Sequence, residues 1–326
     1  MGNQIKVLLC EPIRPVGMAY LEQEAELVIS PDSRPETVAG IAGDCDAIIS
    51  RNTRIDALVF DRAPKLKVVS SHGVGYDQVD VEGASARGIY VVNTPGANSQ
   101  SVAEIAVGFM LMLSRKIGTA HEVFLRDRDF SVRNKFIGQD IFGKTILIAG
   151  AGFIGRRLAK ICKAGFEMKV LCYDPFVTEA EMTLVGMEKM QTLEEGLPQS
   201  DFVSLNCPYD DSLHHMIGAR QFSMMKPSAY FINCARGLLV DDKALITALK
   251  EGVIAGAAID VFAKEPTDKD DPLFDAPNLI VTPHIGANAA DSIDNMSLYS
   301  AMDVVAVARG EYDKARIVNR EILKLK

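Results

Sequence analysis

The stretch TILIAGAGFIG (145–155) decides the fold. Its first five residues form a short apolar run, and the rest is a G-x-G-x-x-G pattern that opens a helical stretch. The next apolar run, KVLCYD (169–174), ends on Asp174. Strand, glycine turn, helix, strand and acid in this order make a dinucleotide-binding fingerprint with its full context. Gly150 permits the tight turn, Gly152 lets the backbone approach a diphosphate, and Gly155 lets helix and strand pack closely; Phe153 and Ile154 complete the loop. The helix N-terminus then offers unpaired N–H groups to the phosphates. A nearby stretch, GQDIFGKT (138–145), matches a phosphate-loop pattern letter for letter. It runs into a strand instead of opening a helix, so it is rejected on geometry.

A nucleotide domain begins with its fingerprint strand, so a first strand at Thr145 implies a separate unit before it. There IKVLLCE, AELVIS, DAIISR, LKVVSS and YVVN alternate with helical stretches beginning near Pro15, Pro35, Asp56 and Val81, which predicts a small parallel α/β domain. After the fingerprint, KVLCYD, FVSLNC, AYFINCA, AGAAIDV and LIVTPH predict a second, larger parallel sheet. A final helical stretch over 289–308 is expected to return to the first domain. Between the two lies Ser99 to Ile117, with Val102, Ile105, Ala106, Phe109, Met110, Leu113 and Ile117 at helical spacing and a candidate capping box from Ser101 to Glu104. Such a face must be buried: within its own subunit, between domains, or in a homodimer.

At 326 residues the chain has the length of about two domains. Its 48% hydrophobic content without any long apolar run suits a packed core and leaves no membrane span. The net charge of -8 argues against nucleic acid or another polyanion as the main partner, although a local basic pocket is compatible with one phosphate. No charged-then-apolar leader is present, and Lys6 stands where a myristoylation site needs Ser or Thr. A cytoplasmic location is therefore expected. The six cysteines, at positions 10, 45, 162, 172, 207 and 234, have no metal spacing and read as reduced core thiols, so no metal is expected.

Three further residues stand at or just beyond predicted strand ends, where parallel sheets bind ligands. Arg236 follows AYFINCA and can hold a carboxylate through two parallel N–H bonds. His284 closes LIVTPH and can exchange the proton that accompanies hydride transfer at an alcohol carbon. Glu265 follows AGAAIDVFAK; a carboxylate beside the histidine raises its pKa. Taken singly, each is equally well a surface ion pair, a strand cap or a solvated loop charge.

Together with their surroundings they carry more. The chain resembles the D-isomer-specific 2-hydroxyacid dehydrogenases over nearly its whole length, through SHGVGYDQVD (71–80), NTPGANSQSVAE (93–104), GKTILIAGAGFIG (143–155), NCARG (233–237), AIDVFAKEP (258–266) and TPHIGA (282–287). The resemblance implies a Rossmann-type NAD-binding domain, 98–289, inserted in a flavodoxin-like substrate domain, 1–97 plus 290–326. It places the catalytic arginine, glutamate and histidine on Arg236, Glu265 and His284. Carboxylate-binding N–H groups fall on Val74 and Gly75, where flanking glycines permit an anion nest. NAD contacts fall on Cys207, Pro208, Cys234 and Asp260 beside the fingerprint and Asp174, and a homodimer is implied on the Ser99–Ile117 helix. Asn206 departs from the histidine many relatives carry there. Glu265 is retained, against the formate dehydrogenase branch, where an amide replaces it.

The expected reaction is reversible reduction of a 2-keto acid by NADH in an interdomain cleft. RNKFIGQDIFGKT (133–145) brings the phosphoglycerate and hydroxypyruvate or glyoxylate branches nearest. Arg51 follows a strand toward the substrate, and Arg54, Arg133 and Lys135 are candidates for a phosphate site, which needs about two cationic partners. A phosphoglycerate enzyme of this length is expected to lack an appended regulatory domain. The alternative is a corepressor of the same fold that senses NADH without turnover.

Overall fold

The computed structural model describes residues 4–320 and Leu323. The chain divides into two compact units, Met1–Asn98 with Asn288–Lys326, and Ser99–Ala287.

The first unit carries strands β1 (Lys6–Leu9), β2 (Glu26–Ile29), β3 (Ala47–Ser50), β4 (Val68–Ser71) and β5 (Tyr90–Val92). All pair in parallel in the order β2-β1-β3-β4-β5, the flavodoxin-like arrangement. Parallel strands covered on both faces need apolar residues at successive positions. Leu8, Ile48, Val69 and Val91 accordingly pack to one side with Val38, Val59 and Phe60, while Val7, Leu9, Ile49, Val68 and Val92 pack to the other with Leu21, Ala301 and Val304. The second layer is made by helix Pro15–Glu24 and helix Ala290–Ala308. They approach closely at Gly17, where a Cβ would lie 2.7 Å from the Ser297 carbonyl oxygen.

The second unit carries β6 (Thr145–Ala149), β7 (Lys169–Tyr173), β8 (Glu188–Lys189), β9 (Phe202–Leu205), β10 (Tyr230–Asn233), β11 (Gly256–Ile259) and β12 (Leu279–Val281). Their order is β12-β11-β10-β9-β6-β7-β8, again all parallel. This is a Rossmann sheet extended by one strand, with its topological switch between β6 and β9. The two-residue edge strand β8, Glu-Lys, has no apolar signature and went unpredicted.

Helix Ser99–Arg115 buries Val102, Ala103, Ala106, Val107, Phe109, Met110 and Leu113 within its own unit, against helix Phe153–Phe166 and the sheet. Burial inside the subunit therefore accounts for its apolar face, and the implied dimer contact is not needed to explain it. Two details differ from expectation. The helix starts at Ser99, so Ser101 lies inside it and Glu104 accepts from the Gln100 side chain at 2.5 Å instead of closing a capping box. It also stops at Arg115: Lys116 takes a left-handed φ of 53°, and a new helix, Ile117–Asp127, leaves Ile117 half exposed. The rejected phosphate-loop pattern is a turn into β6, with Gly143 at φ 66° and no helix after it.

No helix among the described residues is long and apolar enough to cross a membrane. Cys10, Cys45, Cys162 and Cys172 are buried free thiols, and burial pushes Cys10, Cys162 and Cys172 up to about 12.

Candidate active site

The glycine loop joins β6 to helix Phe153–Phe166. Gly150 has φ 105°, and a Cβ there would meet the Asn206 carbonyl and the Cys207 nitrogen of β9's extension at 2.8 Å. A Cβ at Gly155 would lie 2.0 Å from the Gly150 oxygen, so helix and turn touch through bare backbone. A Cβ at Gly152, by contrast, would enter open space in front of the helix N-terminus. Two glycines are thus fixed by packing and one by an open cradle, and that cradle fits a diphosphate at a helix N-terminus. Phe153 is exposed and Ile154 half-buried. Asp174, directly after β7, accepts from Ala151 N at 2.8 Å and from Phe176 N at 2.9 Å, which holds its carboxylate beside the loop. Cys207 and Cys234 stand half-buried beyond β9 and β10, and Pro208 is exposed. Burial raises both thiols, Cys207 to about 11, so neither is a nucleophile near neutrality.

At the ends of β10, β11 and β12 the sheet collects Arg236, Glu265 and His284. Asn233, the last residue of β10, accepts from Ala235 N at 3.0 Å and donates to the Arg236 carbonyl at 2.9 Å, which shapes the turn carrying the arginine. Arg236 also donates through Nη1 to the Ala235 carbonyl at 2.7 Å. The next residue must be glycine: a Cβ at Gly237 would lie 2.0 Å from the Phe262 carbonyl carbon. Backbone contact there joins the arginine turn to the loop bearing Glu265.

Glu265 accepts from Phe262 N through Oε1 at 2.9 Å, and its Oε2 lies 2.6 Å from His284 Nδ1. Because a carboxylate only accepts, the imidazole carries its proton on Nδ1 and presents Nε2 for chemistry. The hydrogen bond to Glu265 raises the His284 pKa; burial opposes it, and the charges of Glu265 and Asp260 add to it. Burial pushes the Glu265 carboxyl up, but the bonds from His284 and Phe262 N, with the His284 and Arg236 charges, outweigh it and leave the pKa lowered. The three residues form one electrostatic group. A guanidinium, a tuned imidazole and its carboxylate together can orient an anionic carbonyl compound and exchange one proton with it.

In the first unit, the loop after β4 has its carbonyls engaged: Val74 O accepts from Asn93 Nδ2 at 2.6 Å and Gly75 O from Ser71 Oγ at 2.6 Å. The N–H groups of Val74 and Gly75 have no acceptor among the described residues. Gly73 does not use left-handed φ, so the expected nest does not depend on that conformational freedom. Arg51 donates its N–H to Glu11 at 3.0 Å and its guanidinium to Asn288 Oδ1 at 3.0 Å. Glu11 also binds Asn52 N and Thr53 N, a cap that sequence reading missed because its partners lie forty residues on. Arg54 pairs with Asp56 at 3.5 Å. Arg133 and Lys135 belong to the second unit, where Arg133 lies over the Phe130 ring at 5.6 Å.

A Rossmann sheet with a glycine cradle at a helix N-terminus, an aspartate bound to that loop and an acid–histidine–arginine group at adjoining strand ends fits an NAD-dependent dehydrogenase. Residues 107–286 match the family profile of the D-isomer specific 2-hydroxyacid dehydrogenase NAD binding domain. A glyoxylate reductase of Korarchaeum cryptofilum is 38% identical over 98% of both chains. A D-3-phosphoglycerate dehydrogenase of Methanocaldococcus jannaschii is 37% identical over 94% of this chain and 58% of its own length. Among solved structures, a D-lactate dehydrogenase from Aquifex aeolicus, complexed with NAD and lactic acid, superposes with a TM-score of 0.85 at 27% identity, covering 96% of this chain and 98% of its own. The chain belongs to the D-isomer-specific 2-hydroxyacid dehydrogenases, and NAD is its cofactor.

Proposed function

We propose that this dehydrogenase reduces small unphosphorylated 2-keto acids of the glyoxylate or hydroxypyruvate type. The observation that carries the chemistry is the 2.6 Å contact between Glu265 and His284, with the Arg236 charge acting on both. Arg236 orients the substrate's carboxylate and carbonyl oxygens. His284 donates the Nε2 proton to the carbonyl oxygen while Glu265 keeps the ring in place and stabilises the imidazolium. Within the first unit, the Val74 and Gly75 N–H groups offer a carboxylate-binding pair. NADH, when bound across the Gly150–Gly155 loop and Asp174, supplies the hydride. In the oxidising direction His284 takes the proton back.

The substrate class rests on two supports. Glyoxylate reductases of several archaea match at 37–39% identity over 98% of this chain. In the first unit, Arg54 already has an acidic partner, which leaves Arg51 alone where a phosphate needs about two cations. The oligomer is a homodimer, formed on the exposed apolar segment that follows Arg115.

A screen of 2-keto acids with NADH and NADPH tests this reading. Glyoxylate and hydroxypyruvate should give the highest kcat/KM, with phosphohydroxypyruvate well below them. NADH should be strongly preferred, since a 2′-phosphate about 4 Å from Asp174 costs about 4 kcal/mol at an effective dielectric of 20. Preference for the phosphorylated acid overturns the substrate class. NADH binding without turnover of any keto acid points to the corepressor reading.

A further inference from the structure

We propose that Asp260 is a positioning residue for His284, its buried carboxylate holding the 282–286 loop in the one shape that presents the imidazole. This rests on the reading of His284 as the proton carrier. Asp260 directly follows β11 and is only 1% exposed. Its Oδ1 accepts from Thr282 Oγ1 at 2.6 Å and from Ile285 N at 2.8 Å, and its Oδ2 accepts from Gly286 N at 2.6 Å. Its main-chain carbonyl accepts from His284 N at 2.8 Å. One residue thus binds the loop before the histidine, after it, and at its own peptide.

The binding has something to hold. His284 has a φ of 52°, a left-handed conformation that a non-glycine residue adopts at a cost of about 1–2 kcal/mol and keeps only where its surroundings over-determine it. The fit at Gly286 is tight as well: a Cβ there would lie 2.8 Å from Asp260 Oδ2. A carboxylate is also costly to bury unless several donors satisfy it, and here all three donors come from this loop. The resemblance implies a contact of Asp260 with NAD; its three hydrogen bonds give it a second role, toward the loop.

Asp260→Asn keeps the size and replaces one oxygen with an amide NH2. That group must face either Ile285 N or Gly286 N, both donors, so one bond becomes a repulsion whichever way the amide turns. Thr282→Val is a milder second variant that removes one donor and keeps the shape. Three quantities are measured: the NADH Kd by nicotinamide fluorescence, kcat with glyoxylate, and the His284 titration midpoint by NMR of 13C-labelled histidine. Groups facing the imidazole are Glu265, Asp260 and Arg236.

In Asp260→Asn the Kd should stay within about threefold of wild type, a change of under 1 kcal/mol. Its kcat should fall about 100-fold, the scale of a misplacement near 1 Å. The midpoint should drop as the ring leaves Glu265. Thr282→Val should move kcat and midpoint the same way by less, and it decides the matter if Asp260→Asn does not fold. A Kd weakened tenfold or more with kcat and midpoint unchanged would overturn the proposal in favour of a cofactor contact, and wild-type values throughout would overturn it outright. Wild-type turnover by His284→Ala would sink the proton-carrier reading instead, while the midpoint in Asp260→Asn still reports whether the aspartate places the ring.

Discussion

With Nδ1 of His284 bound to Glu265, the ring titrates only through Nε2, so its charge state should govern both directions of the reaction. Keto-acid reduction needs imidazolium and should fall as pH rises through the raised His284 pKa; hydroxy-acid oxidation needs the neutral ring and should rise through the same value. Glu265→Gln keeps the shape and removes the charge. It should move both profiles to lower pH and impair reduction at pH 7.5 more than oxidation, as read from kcat/KM in the two directions. Superimposable profiles for wild type and variant would exclude this tuning. The pair also bears on stability. Its histidine contribution is complete below the unfolded value of 6.5 and is lost as pH rises through the raised pKa; its glutamate contribution is complete above 4.5 and is lost as pH falls through the lowered one. Both act in full only between those values. Strand ends singled out Arg236, Glu265 and His284 as candidates, but taken singly each read equally well as an ordinary charge, and only the family resemblance joined them. The bonds of Asp260 were not legible in the sequence, because their donors lie 22 to 26 residues further on and meet it only once β11 and β12 are paired.

At the scale of elements, apolar runs in fully covered parallel strands were the clearest signal, which is why eleven of the twelve strands could be predicted and the charged edge strand β8 could not. The helix after residue 98 shows the limit of periodicity. Its spacing continued to Ile117, but spacing cannot register the left-handed turn at Lys116, nor say which surface a buried face meets. Packing answers that: Met110 is fully buried between helix Phe153–Phe166 and the sheet. Met110→Ala should destabilise the second unit by about 2–5 kcal/mol, since a rigid helix–sheet seam collapses poorly around a cavity. Chemical denaturation followed by circular dichroism measures this. A loss under about 0.5 kcal/mol, the size of a surface substitution, would mean that the seam repacks freely.

For the whole molecule, the two-sheet architecture was apparent from the order of strands, because a fingerprint strand at residue 145 implies a separate unit before it, whereas the insertion of one unit in the other was implied by the family resemblance. The oligomer was not apparent from strand order. Helix Ile117–Asp127 buries none of its residues, and Leu125, Phe130, Ile137 and Phe142 stay 60%, 68%, 77% and 62% exposed in the same segment. An apolar surface of this kind on one contiguous segment is where the proposed homodimer would form. Leu125→Asp with Phe130→Asp should turn a dimer into a monomer by light scattering with the NADH Kd unchanged. A monomeric wild type, or a dimeric variant, would remove the segment from the interface.

The insertion also sets a timetable for synthesis. All five strands of the first sheet have been synthesised once Val92 is added, yet Ala301, Val304 and Val305, which pack on Val7, Leu9, Ile49 and Val68, come only after the entire second unit. At about 5–20 residues per second the nascent sheet therefore waits roughly ten seconds or more with that face covered by helix Pro15–Glu24 alone. The second unit, encoded without interruption, can finish first, so the first unit completes its core only when its last helix emerges.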